Sequence, residues 1–398
     1  MAVLVAAFGL SACFAPPAQP PAEPIGAACQ VLETLSLESE TTTASVTTYE
    51  AVVESGTGET EYVSFEAASD AEATEQIAEI EATIGRVTEA GEQVEVGLLD
   101  VTPNDDPRYG GAPPGGGQQK AALDQAKFNA AWASHEEGAG IVVGVVDTGV
   151  QGDHGDLTGN LLPGADFVSS SGGTCVDPNS HGTHVAGIVG QVDNTIGGIG
   201  AAPGVKILPV RVLSQSGSGS STIVANGIRW AADNGANVIN LSLGGAESET
   251  ITDAVEYAVS HGATVVAAAG NCGNPNHLPG CSGLNAPSFP AALPNVIAVG
   301  AVNTGQTTRA SFSNSNDYVD ITAPGTSIDS TLPFGAYGTK SGTSMATPFV
   351  SAVAALILSD CPVSIGISTK IQSSATQAVT GFVEPEKLVD AAAAATGC

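Results

Sequence analysis

The chain has 398 residues, with 41 Asp and Glu against 11 Lys and Arg, a formal net charge of −30 at pH 7. That length allows one large or two modest domains with a sizeable core. The acidic balance excludes a nucleic-acid binder, which needs a basic face for phosphates, and suits a secreted protein.

Taken in chain order, residues 1–13 read as an export signal: Met1 to Cys13 is short and apolar, with small residues before the cysteine. It lacks the Lys or Arg of a standard signal. Leu10-Ser11-Ala12-Cys13 resembles the lipobox of bacterial lipoproteins, which implies lipidation of Cys13 and an anchor in a membrane. The alternatives are an ordinary cut near Ala15 or a start codon placed too far downstream. Residues 14–28 are then a Pro-rich tether. The leading segment is too short to span a bilayer.

Residues 29–102 read as a small, acidic α+β domain. Val46–Val53 and Glu61–Phe65 are strand-like around Ser55-Gly56-Thr57-Gly58. Ser69 and Glu72 make a capping box, and Ile77, Ile80 and Ile84 share a helical face. Residues 103–117 are a Gly/Pro linker, exposed and cleavable.

Residues 118–398 form the second domain. Apolar strands are predicted at Gly140–Asp147, Val205–Leu213, Ala236–Leu243, Ala263–Ala269 and Val296–Val299, with helices at Thr222–Asn234 and Ile251–Ser260 between them. Continuous apolar strands alternating with helices predict an α/β fold: three layers, with a mostly parallel sheet flanked by helices. Chemistry in such sheets gathers at the carboxyl ends of strands, where Asp147, Gly244 and Asn271 fall.

Four stretches carry reactive groups there. Asp147-Thr148-Gly149 ends a strand, His181-Gly182-Thr183-His184 opens a helix, and Gly270-Asn271 ends another strand. Ser344 lies in Gly342-Thr343-Ser344-Met345-Ala346-Thr347-Pro348, ahead of the apolar run Phe349–Leu358. The spacing predicts a buried helix with Pro348 near its first turn and Ser344 at its N-terminus, where N–H groups favour an oxyanion. The plainer alternative for Ser344 is a capping serine. Together the four suggest an acyl-transfer triad, with Ser344 as nucleophile, His181 as base and Asp147 orienting the imidazole. Asn271 and the Ser344 N–H would bind the oxyanion.

In this order and with these flanks, the motifs resemble the subtilisin family of serine endopeptidases, nearer its subtilisin and proteinase K branches than kexins. The resemblance covers roughly Gln118 to the C-terminus. It implies hydrolysis of polypeptide substrates by a secreted or cell-surface enzyme, expected to be a monomer. It also implies that residues 29–102 are a propeptide acting as chaperone and inhibitor, with cleavage between Asp100 and Gln118. Ser242, Leu243, Gly244 and Gly245 would pair with substrate and line one wall of the S1 pocket; Ala268, Ala269 and Gly270 would line the other. Small walls without carboxylates imply an apolar or aromatic P1 side chain. Structural calcium would be held by Gln118, Asp156, Val192, Asn194, Ile196 and Gly198, all through oxygen.

Among seven cysteines, Cys272 and Cys281 could close a short loop, and Cys361 and Cys398 could tie down the C-terminal segment. Cys29 and Cys175 are expected to be unpaired after maturation. Asp147-Thr148-Gly149 also matches the aspartic protease signature, but no second such motif exists to share a proton. His181 and His184 could ligate a metal, though no third ligand cluster accompanies them, and His184 reads as structural. His135, His154, His261 and His277 read as surface or loop residues. The rival from another class is a catalytically inactive, surface-tethered binding protein on the same scaffold.

Overall fold

A computed structural model describes residues 30–31, 47–55, 60–67, 76–77, 85–92, 95–98, 116–132, 137–168, 176–194, 197–274, 281–361 and 366–396. Outside them lie Cys13, Cys29, Cys175, Cys398, His135, His277, Ile196, the Ser69/Glu72 capping box, the tether and most of the linker.

A mostly parallel sheet organises the chain. Its strands run in the order Gln30–Val31, Ala165–Asp166, Lys206–Arg211, Val142–Asp147, Val238–Leu241, Thr264–Ala268, Val296–Val302, Ile321–Pro324, Glu386–Leu388 and Gln377–Val379. Only the last pair is antiparallel. The central strands are buried end to end because both faces are covered. Successive side chains serve opposite faces. Val143 and Val145 pack with the helices His181–Gly190 and Thr343–Asp360, whereas Val142 and Val146 pack with Ser221–Asp233 and Glu249–Ser260.

Where the sequence predicts one strand over Ala236–Leu243, the chain makes two. Val238–Leu241 stays in the main sheet, and Leu243–Gly245 leaves it for a three-stranded sheet with Glu95–Leu98 and Ser218–Ser220. Ser242 sits at the break, its hydroxyl turned to the Ser344 carbonyl.

The helix Thr343–Asp360 is apolar on all sides and long enough to cross a membrane, but 89% of it is buried, so it is the core helix. Pro348 lies five residues past Thr343, in the second turn rather than the first. A proline there cannot donate to the Ser344 carbonyl four residues back. Ser242 Oγ donates to that carbonyl instead, at 2.8 Å.

In the N-terminal region, Thr47–Ser55 and Thr60–Ala67 are strands close to where the sequence reads them, and they pair antiparallel, with Tyr49 opposite Phe65 and Val52 opposite Tyr62. Gly85–Glu92 adds a third antiparallel strand that its weak alternation did not announce. A helix begins at Gly116, two residues inside the stretch read as linker.

Candidate active site

Asp147 ends its strand with a fully buried carboxylate. His181 Nδ1 lies 2.8 and 3.0 Å from its two oxygens, and the Thr148 N–H donates to Oδ1 at 2.7 Å. The strand end and the helix start approach closely because Gly182 has no side chain. A Cβ there would sit 2.2 Å from the Gly149 carbonyl oxygen.

Sequence reasoning missed Asp177. Its carboxylate is buried and accepts from Thr148 Oγ1, from the N–H groups of Asn179, Ser180 and Thr183, and from Thr183 Oγ1, all within 3.0 Å. Ser180, the residue before the helix, is left-handed at φ 85° and makes no side-chain cap. Asp177 therefore satisfies the helix N-terminus and, through Thr148, ties it to the Asp147 strand. An Asp four residues ahead of the histidine was the available signal.

Ser344 is the second residue of the core helix, and its Oγ donates to the Ser242 carbonyl at 3.1 Å. Asn271 Oδ1 accepts from the Thr343 N–H at 2.9 Å and from Thr343 Oγ1 at 3.0 Å. These two donors fix the amide, so Nδ2 is the group left to face the site. That nitrogen is buried and has no hydrogen-bond partner. A buried, unsatisfied donor costs about 1–3 kcal/mol. It is the feature expected of a site built for an oxygen that arrives with substrate. Gly270, at φ 103°, turns the chain here, and a Cβ would strike the Asn314 amide at 2.6 Å.

The segments read as substrate walls are placed as follows. Leu243–Gly245 is the edge of the small sheet, and Ala268, Ala269 and Gly270 follow the end of Thr264–Ala268. The groove is filled by the chain itself. Glu95–Leu98 lies between the Leu243–Gly245 wall and the strand Ser218–Ser220, antiparallel to each, with Leu98 opposite Leu243, Gly97 opposite Gly244 and Ser218, and Val96 opposite Gly245 and Gly219. Asp147, His181 and Ser344 are all fully buried in this state. Beside Asn271, Cys272 and Cys281 form a disulfide, as the spacing suggested. Cys361 is also disulfide-bonded.

Of the cation set, Asp156 is buried and forms the centre. Its Oδ1 accepts from Asn194 Nδ2 at 2.9 Å, and its Oδ2 from Gln191 Nε2 at 2.8 Å, the Gly198 N–H at 3.1 Å and the Tyr337 hydroxyl at 3.2 Å. A Cβ on Gly197 would lie 2.1 Å from Asp156 Oδ2, so the loop is pressed onto the carboxylate. Gln118 has only its helical backbone described. Among the described residues no group of three His, Cys, Asp or Glu could hold a metal. Asn194 presents its amide nitrogen and Gly198 its N–H to Asp156; with that amide turned to present its oxygen, the carboxylate and the amide are hard oxygen donors of the kind calcium takes. Burial and the Asp156 charge push the Tyr337 phenol up to about 12.

Two histidines complete the surroundings. His154, read as a surface or loop residue, lies in a loop but is buried, with Nε2 3.1 Å from the Ala336 carbonyl and its ring edge-on to Tyr337, because the hairpin Ile328–Lys340 covers it. His184 is structural, as expected. Its Nε2 faces the carbonyls of Ile328 and Gly338, and burial beside Lys340 and His181 lowers its pKa to about 3.

Residues 138–379 match the model of the subtilase family. Over 276 residues the chain is 42% identical to a subtilisin of Bacillus pumilus, covering 69% of this chain and 97% of that one. Subtilisin E of Bacillus subtilis (strain 168) is also 42% identical over 276 residues, 69% of this chain and 70% of its own. Thermitase of Thermoactinomyces vulgaris is 46% identical over 241 residues, 60% of this chain and 82% of its own.

Proposed function

The chain belongs to the subtilase family and is a serine-type endopeptidase, and from that premise we infer that Asp147, His181 and Ser344 are its catalytic triad. Ser344 Oγ attacks the scissile carbonyl while His181 Nε2 takes its proton; His181 then protonates the leaving amine, and water reverses the sequence on the acyl-enzyme. Asp147 holds the imidazole with Nδ1 protonated and stabilises its cation. Asn271 Nδ2 and the Ser344 N–H receive the oxyanion. The observation that carries this reading is the Asn271 amide, locked by Thr343 with a buried donor left over.

The walls Leu243-Gly244-Gly245 and Ala268-Ala269-Gly270 carry no carboxylate and favour an apolar or aromatic P1 side chain. Residues 29–102 serve as propeptide. The Glu95–Leu98 strand in the groove supports this: it runs towards Ser242, so the chain leaving Leu98 is delivered to the nucleophile. The first bond cut then lies between Asp100 and Gln118. Asp156, Asn194, Val192, Ile196, Gly198 and Gln118 would hold calcium, which supplies positive charge that braces the loop. Export follows residues 1–13, with surface anchoring if Cys13 is lipidated, and the enzyme works as a monomer.

The test is Ser344→Ala in the full chain. It should abolish both casein hydrolysis and labelling by a fluorophosphonate probe and leave the precursor uncut in a protease-free host. Retained proteolysis would overturn the assignment.

A further inference from the structure

The helix that carries Ser344 has a gap in its hydrogen-bond ladder, and the gap is filled from a side-chain chain that no part of the triad uses. Pro348 cannot supply the N–H that the Ser344 carbonyl would take in a regular helix. Ser242 Oγ donates to that carbonyl at 2.8 Å. Asn240 Nδ2 donates to Ser242 Oγ at 2.9 Å, and Ser351 Oγ donates to Asn240 Oδ1 at 2.9 Å. All four residues are fully buried. Ser351 stands on the same helix as Ser344, two turns on, so the chain leaves the helix, crosses the strand Val238–Leu241 and returns.

The direction of every bond is forced from one end. A backbone carbonyl only accepts, so Ser242 must spend its single proton on Ser344. Ser242 must then accept from Asn240, which turns the amide so that Oδ1 faces Ser351. The Ser351 hydroxyl satisfies that buried oxygen. Without it, Oδ1 gains by turning towards Ser242 and drawing the Ser242 proton away from Ser344.

Resting on the reading of Ser344 as nucleophile, we propose that Ser351 and Asn240 are positioning residues, acting through Ser242 to hold the Ser344 carbonyl and with it the attack geometry of Ser344 Oγ. Neither touches substrate. A displacement of well under 1 Å at a nucleophile is enough to slow acylation, because effective attack needs near-contact alignment.

Four variants of the mature enzyme decide it: Ser351→Ala, Ser351→Thr, Ser242→Ala and Asn240→Asp. Kinetics on a peptide amide, the rate of fluorophosphonate reaction with Ser344 and the melting temperature are read for each. Ser351→Ala should lower kcat about fivefold with KM within about twofold, and the fluorophosphonate rate should fall in parallel. Ser351→Thr keeps the hydroxyl and should restore both rates. Asn240→Asp, an acceptor on both oxygens, should lose as much as Ser242→Ala. Wild-type kcat in Ser351→Ala would overturn the proposal, as would equal losses in the Ala and Thr variants, which mark packing alone. If Asn240→Asp does not fold, the Ser351 pair still decides. Proteolysis surviving Ser344→Ala would instead strike the nucleophile assignment, so the two failures are distinct.

Discussion

Asn271 shows how a single residue is prepared for one task. Its strand ends at Ala268, Gly270 turns the chain, and Thr343 takes the carbonyl side of the amide with two donors. What remains is a buried amide nitrogen with no hydrogen-bond partner. Asn271→Ala should therefore cost kcat and spare KM, by about 100- to 1,000-fold, the loss established for removing this kind of amide in subtilisin itself. Steady-state kinetics on a peptide amide check it; an equal rise in KM with kcat intact would mean ground-state binding instead. At the same scale, activity should fall on acidification, because a protonated His181 cannot accept the Ser344 proton. A kcat/KM profile that stays flat to about pH 4 would contradict the base assignment.

At the scale of elements, the C-terminal strand pair carries a cost that the reaction does not explain. Glu386, on Glu386–Leu388, is 8% exposed, and burial next to Asp320 and Glu384 raises its carboxyl from 4.5 to about 7. The folded state thus holds a proton that the unfolded chain releases at lower pH. Glu386 is harmless below about pH 4.5, and stability is lost as pH rises through about 7. Glu386→Gln should raise the melting temperature at pH 8, corresponding to about 1–3 kcal/mol, and change nothing at pH 4.5. Calorimetry at the two pH values checks it, and an equal gain at both would point to packing rather than charge.

For the whole molecule, the loop pressed onto Asp156 joins the His154 turn, the 192–198 segment and the hairpin that leads into Ser344. A cation bound there only in the native state would stabilise all three together, by about 2.7 kcal/mol at 100 times its dissociation constant. Chelation should therefore lower the melting temperature, and Asp156→Asn should abolish the calcium response. A melting temperature indifferent to both chelator and added calcium would remove the cation from the reading.

The sequence by itself determined the sheet and singled out the candidate reactive groups. Runs such as Val142–Val146 and Thr264–Ala268 admit only a strand covered on both faces, and Asp147, His181 and Ser344 carry flanks that leave few other roles. Only the tertiary structure decided what those groups lean on. Asp177 on Thr148, Ser242 on the Ser344 carbonyl, Thr343 on Asn271 and Glu95–Leu98 in the groove are partners separated by up to about 150 residues, chosen by where the packed elements happen to meet. Periodicity reports which face of an element is apolar. It carries no record of which polar atom waits across the gap, because hydrogen bonds are directional and short, and their partners are set only once the core has closed.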